Sequence, residues 1–206
     1  MHSSSDDGPD LRKEWLHQRT NGALSRFHDR TPLIYRKRIE VPQQVTEWVA
    51  GWGGGSLFLT GAIGVGKTHT AWETCRLWLK AFYGPDRPWN GAANIYTYRS
   101  TALFDALRPD GPDEIRRTLI KTLQEADLVY IDDLAAAKVT EWTQERLFEI
   151  FDERYINQRP VIVTSDVLPP NLGPVTGPRV ASRLGEMCQG SIVLMEGDDR
   201  RKQVAA

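Results

Sequence analysis

Cysteine is scarce in this chain: there are two, Cys75 and Cys188, far apart in sequence. Such a pair suggests neither a disulfide framework nor a cysteine metal site. Cys75 falls among apolar helix positions and reads as a buried thiol. Long hydrophobic runs are lacking as well. No stretch approaches the roughly 20 apolar residues that span a bilayer, and the opening MHSSSDDGPD lacks the apolar core of a signal peptide. Net charge is almost absent, since 26 Lys and Arg face 27 Asp and Glu. No global field draws such a chain to nucleic acid or membrane, so binding of either kind needs a local patch. Together these absences favour a cytoplasmic location without membrane association. No internal repeat is visible, and the seven tryptophans scatter as packing residues do.

What is present is enough apolar sequence for one domain: 206 residues, 40% hydrophobic. Residues 1–10 are polar and expected to be disordered. LRKEWLHQRT (11–20) predicts a short helix ended by Asn21-Gly22. RFHDRTPLIYRKR (26–38) is basic, with Phe27 and Tyr35 interleaved. Pro42 opens a helix with Val45, Trp48, Val49 and Trp52 at helical spacing, ended by glycines 53–55. From there the pattern alternates. Strands are predicted at 56–60, 94–98, 127–132, 160–165 and 191–196. Helices are predicted at 67–82, around 101–107, at 112–126, 141–156 and 177–187. Ala71, Trp72, Cys75, Trp78, Leu79 and Phe82 make one stripe, and Leu147, Phe148, Phe151 and Tyr155 another. Ile115, Leu119 and Leu123 line a third. Such alternation means an α/β layer fold with a largely parallel sheet.

Between the first strand and its helix stands GAIGVGKT (61–68). Strand, G-x-x-x-x-G-K-T, helix is the arrangement that holds a polyphosphate. Backbone N–H groups do the holding, so Gly61, Gly64 and Gly66 keep side chains out of the way and permit φ > 0. Ala62, Ile63 and Val65 fill the loop, and His69 follows it on the first helical turn, where the dipole favours negative charge. Lys67 is placed to reach the β- and γ-phosphates of ATP, and Thr68 to ligate Mg²⁺. LVYIDD then puts Asp132 at the carboxyl end of a buried strand, as the acidic partner of the metal. Asp133 points differently and is the candidate proton acceptor from an attacking water. Thr164, Ser165 and Asp166 end the next buried strand and could position that water or sense the γ-phosphate. Arg179 and Arg183 are four residues apart, on one helical face, and could stabilise charge on a transferring phosphoryl group.

These pieces, in the stretches LFLTGAIGVGKTHTA, ADLVYIDDLAAAKVTEWTQERLFEIFDERYINQRPVIVTSD and GPRVASRLGEMCQGSIVLMEGDDRR, resemble the AAA+ ATPases of the DnaC and DnaI helicase-loader and IstB-type group over roughly residues 40–202. The resemblance implies a three-layer P-loop core with a five-stranded parallel sheet of order 5-1-4-3-2 and helices on both faces. It implies ATP hydrolysis with Mg²⁺, self-association into a ring or spiral, a replicative helicase or other DNA-processing partner, and single-stranded DNA. Arg183 in ASRL becomes the candidate trans-acting arginine finger, with Arg179 beside it. Asp166 stands where the group usually has asparagine, and its charge would repel a γ-phosphate unless it is protonated or held by a cation. Residues 1–40 then form a short, partly disordered extension that meets a partner or DNA, and 41–206 the core, with a minimal or absent C-terminal lid. Two stretches combine cations and aromatics as single-strand binders do: 26–38, and 96–121 with Tyr96, Tyr98, Arg99, Arg108, Arg116, Arg117 and Lys121. The rival functions are an IstB-like transposition helper, a small-molecule P-loop kinase and a weakly hydrolysing nucleotide-dependent scaffold.

Overall fold

The computed structural model describes residues 11–51, 54–84, 91–136 and 139–199, with Leu11 and Arg12 as backbone alone. Residues 1–10, Trp52 and Arg200 of the closing GDDR lie outside these ranges. In chain order the elements are α1 (Leu11–Arg30), a 3-10 turn (Leu33–Tyr35), α2 (Gln43–Ala50), β1 (Leu57–Gly61), α3 (Lys67–Phe82), β2 (Ile95–Arg99), α4 (Ser100–Ala106) and α5 (Asp113–Glu125). Then come β3 (Leu128–Asp132), α6 (Glu141–Ile156), β4 (Val161–Ser165), a second 3-10 turn (Pro169–Asn171), α7 (Gly173–Thr176), α8 (Pro178–Met187) and β5 (Ile192–Met195). All strand pairs are parallel, in the order β2-β3-β4-β1-β5. That is the expected 5-1-4-3-2 order read from the other edge.

Central strands covered on both faces read as unbroken apolar runs, and β4 is buried at every position. Alternate residues serve opposite faces. Leu57, Leu59, Tyr130, Ile162 and Val193 join Ala71, Cys75 and Trp78 of α3. Phe58, Val129, Ile131, Val161 and Val163 join Leu123 of α5, Leu147 and Phe151 of α6 and Leu184 of α8. Thr140 caps α6 by accepting from the Thr143 N–H at 3.2 Å. Gly177, at φ 91°, lets α8 start against Gln144, where a Cβ would stand 2.7 Å from that side-chain oxygen.

Three sequence expectations are corrected. Asn21-Gly22 does not end α1, which continues to Arg30. A mid-helix glycine costs only about 1 kcal/mol, and burial of Ala23 and Phe27 beside α3 outweighs it. On α5 the inward face is Arg116, Ile120 and Leu123, while Ile115 is 65% exposed. On α6 the apolar stripe stops short of Tyr155, and Arg154 takes the inward position at 0% exposure. Its guanidinium donates to the carbonyls of Leu123 (2.5 Å), Ala126 (2.8 Å) and Pro160 (2.6 Å), tying the end of α5 to the entries of β3 and β4. Burial lowers its pKa to about 9.

Candidate nucleotide site

The candidate residues meet at the carboxyl edge of the sheet, where open α/β folds leave a crevice for ligands. Gly61, Gly64 and Gly66 have φ of 143°, 89° and 101°. A Cβ at Gly61 would run into the Met195 carbonyl, so that position needs glycine on two counts, whereas Gly64 needs it for its φ, the Asp199 carboxylate beside it being the end of a side chain that can swing aside. Val65 is buried and pins the loop to the core, whereas Ile63 is exposed. No side chain caps α3 at Gly66, which leaves first-turn amides for an anion. The Lys67 ammonium is held at the loop by the carbonyls of Gly61 (2.7 Å) and Ala62 (2.9 Å). His69 behaves differently from a phosphate ligand: its Nε2 lies 2.7 Å from the Lys37 carbonyl, so only its backbone faces the cradle.

Asp132 is the hub. Its Oδ1 accepts from the hydroxyls of Thr68 (2.9 Å), Tyr130 (2.7 Å) and Thr164 (2.8 Å). Among the described residues no donor reaches Oδ2, which leaves that oxygen for a cation. The Thr68 oxygen keeps lone pairs while its proton goes to Asp132, so both residues can face one ion. Mg²⁺ takes one or two protein oxygens and completes its shell with phosphate and water. That demand fits this pair, and among the described residues no cluster of three or more His, Cys, Asp or Glu could hold a metal alone.

Asp133 follows in the left-handed region, at φ 54°, so its carboxylate leaves in another direction. Its N–H donates to Thr164 Oγ1 at 2.8 Å, and its carbonyl accepts from Ser100 Oγ at 2.5 Å. Partial burial, then the charges of Asp166 and Asp132, push its pKa up, against the pull of Lys67. Asp166 is exposed beyond β4. Thr164 and Ser165 are committed elsewhere: Thr164 to the two aspartates, and Ser165 to accepting from the Val167 N–H at 3.0 Å.

Arg179 and Arg183 do not join this cluster within the chain. Arg179 lies 3.6 Å from the Phe148 ring centroid. Arg183 donates to Asp152 (2.7 Å) and Glu186 (3.2 Å) and lies over Tyr155. The stretch 26–38 does not offer its aromatics as a binding surface, because Phe27 is buried and Tyr35 turns inward onto His69 and Trp72. In 96–121, Tyr96 and Tyr98 pack on the core. Arg116 is buried, paired with Asp113 and bonded to the carbonyls of Arg108 and Gly111. Arg99 and Arg117 remain exposed. Sequence reading missed Tyr130 as a support for Asp132, although residues two apart on a strand share a face.

The family described as the bacterial DnaA ATPase domain matches residues 91–189. XkdC, a protein of the phage-like element PBSX of Bacillus subtilis, is 24% identical over 147 residues, covering 69% of this chain and 51% of XkdC. The chain spans about a quarter of the curated DnaA initiators it matches. A DnaA bound to AMPPCP and single-stranded DNA superposes with a TM-score of 0.61 at 23% identity, over 76% of this chain and 45% of that one. The DnaC helicase loader does so at 0.57 and 22%, over 74% and 86%. Motif order and sheet order agree with these matches: residues 91–189 match the DnaA ATPase-domain family, and the chain shares the fold of the DnaA and DnaC structures.

Proposed function

We propose that the chain binds and hydrolyses ATP with Mg²⁺ to drive assembly on single-stranded DNA, beside a replicative helicase or another DNA-processing protein. One observation carries the reading: the Thr68 hydroxyl lies 2.9 Å from the Asp132 carboxylate at the mouth of the glycine loop. The loop amides and Lys67 would hold the phosphates, with Thr68 and Asp132 on the cation. Bound Mg²⁺ would neutralise charge on the β- and γ-phosphate oxygens. Asp133 would take the proton of the attacking water, a role its raised pKa suits. Asp166 would oppose that step by its charge and keep turnover slow. Arg183, remote from its own chain's loop, would act on a neighbouring subunit's nucleotide after leaving Asp152. The γ-phosphate would thereby order a subunit interface that loosens on hydrolysis. DnaA binds single-stranded DNA in the structure compared above, and Arg99 and Arg117 are this chain's exposed candidates for such contact.

The kinase reading needs an arginine-rich lid after β4. There, Pro169, Leu172 and Thr176 are instead packed inward. The test is mass measurement with ATP and a single-stranded oligonucleotide. The parent should grow in mass with both ligands, and Arg183→Ala should not. A parent whose mass neither ligand changes would remove the assembly mechanism.

A further inference from the structure

Among the described residues, Asp133 and Gln158 are the non-glycine residues with positive φ, at 54° and 50°. Gln158 follows the last turn of α6, where left-handed residues commonly end a helix. Asp133 instead follows a strand, in a conformation that non-glycine residues keep only where their surroundings over-determine it. The strands on either side of β3 supply those surroundings. From β4, Thr164 accepts from the Asp133 N–H through its hydroxyl at 2.8 Å and from the Leu134 N–H through its carbonyl at 2.9 Å. From the end of β2, Ser100 donates its hydroxyl proton to the Asp133 carbonyl at 2.5 Å, and the Ala136 N–H reaches the same oxygen at 3.0 Å. Ser100 is 1% exposed, so bulk water does not stand in for it. A serine at a helix start ordinarily accepts from its own first turn. Here Arg99 holds the cap position of α4, without a side-chain bond, and the hydroxyl one residue later reaches across to the end of β3. Helix formation would be served better by alanine, and it gives no reason for an oxygen at 100.

We propose that Ser100 is a positioning residue of the hydrolysis site: its hydroxyl holds the Asp133 backbone left-handed, and so aims that carboxylate away from Asp132 and at the attacking water. The inference rests on the reading that Asp133 accepts the proton of that water. Without the hydroxyl, the Asp133 carbonyl keeps the Ala136 N–H but loses its link to α4. The backbone can then relax toward negative φ, which swings the carboxylate off its line. The glycine loop, Thr68 and Asp132 keep their own bonds, so nucleotide binding does not depend on Ser100.

The test compares the parent, Ser100→Ala, Ser100→Thr, Asp133→Asn and the Ser100→Ala, Asp133→Asn double variant. It reads ATP turnover in Mg²⁺, AMPPNP affinity by calorimetry, and amide exchange over residues 132–136 without nucleotide. Ser100→Ala should lower kcat about fivefold, the effect of one hydrogen bond, and leave KM and AMPPNP affinity parental. Exchange over 132–136 should quicken, and Ser100→Thr, which keeps the hydroxyl, should restore most of kcat. In the Asp133→Asn background, Ser100→Ala should lower kcat no further, because the two residues act as one unit. A parental kcat in Ser100→Ala, or the same fivefold fall with Asp133 already replaced, would overturn the proposal and leave the proposed function standing. A parent without ATP turnover, or Asp133→Asn with parental turnover, would overturn both the proposal and the role given to Asp133. Should Ser100→Ala not fold, Ser100→Cys, of similar size but a poor donor, takes its place in every comparison.

Discussion

Thr164→Val removes one hydroxyl and almost no volume. Thr164 is 1% exposed, and its oxygen clamps both aspartates: it donates to Asp132 Oδ1 at 2.8 Å and accepts from the Asp133 N–H at 2.8 Å. A hydrogen bond to a carboxylate contributes about 1.5–3 kcal/mol, and a donor left without a partner costs about 1–3 kcal/mol. Oδ1 keeps Tyr130 and Thr68 as donors, and Asp133 is reached by water, so the low end of each range applies. The expected loss is about 2.5 kcal/mol. At 2–4 °C per kcal/mol for a chain of this size, the melting midpoint should fall by about 7 °C. The site should suffer more than the fold, because Asp132 loses a restraint on the oxygen opposite the one left for the cation. Mg²⁺-dependent nucleotide affinity should drop about tenfold, as misoriented metal ligands and their supports typically produce. Scanning calorimetry and AMPPNP titration in Mg²⁺ and EDTA read both effects, and Thr164→Ser should restore most of each. A Thr164→Val protein with parental midpoint and parental Mg²⁺ dependence would refute the view that this hydroxyl orients Asp132.

Two further outcomes follow from buried and charged groups. Arg154→Met fills much of the same volume but leaves the carbonyls of Leu123, Ala126 and Pro160 without their donor; denaturant unfolding should show a loss of about 4 kcal/mol, and a loss under about 1 kcal/mol would mean water replaces the guanidinium. Asp133 must be ionised to accept a proton, and its raised pKa means that hydrolysis gains rate with rising pH through a range above that of an ordinary carboxylate. Asp166→Asn deletes a charge that raises this pKa, so the acid limb of the rate profile should move to lower pH; an unmoved limb would show that Asp133 is not the titrating base.

Sequence patterning located α3 at its observed ends because glycines precede it and one clean stripe runs its length. The strands were legible to within a residue, since the central ones are unbroken apolar runs bounded by turn residues. Asn21-Gly22 misled because turn chemistry is local, whereas the contacts of Ala23 and Phe27 with the α3 side of the core are not. The inward face of α5 was misjudged because Arg116 is a polar residue in an apolar place, matched to carbonyls that only the fold assembles. In the site, the loop, Thr68 and Asp132 were readable from spacing. The support of Asp132 by Tyr130 and Thr164 depends on two strands meeting, and the place of Tyr35 depends on a turn folding back over α3. Neither leaves a periodic signal.

The central claim is that a triphosphate with its cation is held between the amides of 61–68 and Asp132. Calorimetric titration of AMPPNP with Mg²⁺ into the parent, Lys67→Ala and Asp132→Asn tests it most directly. The account predicts saturable one-site binding in the parent, affinity reduced at least about tenfold in Lys67→Ala on loss of a charge-assisted contact, and a Mg²⁺ effect abolished in Asp132→Asn. Equal binding by all three proteins, or none by the parent, would contradict it.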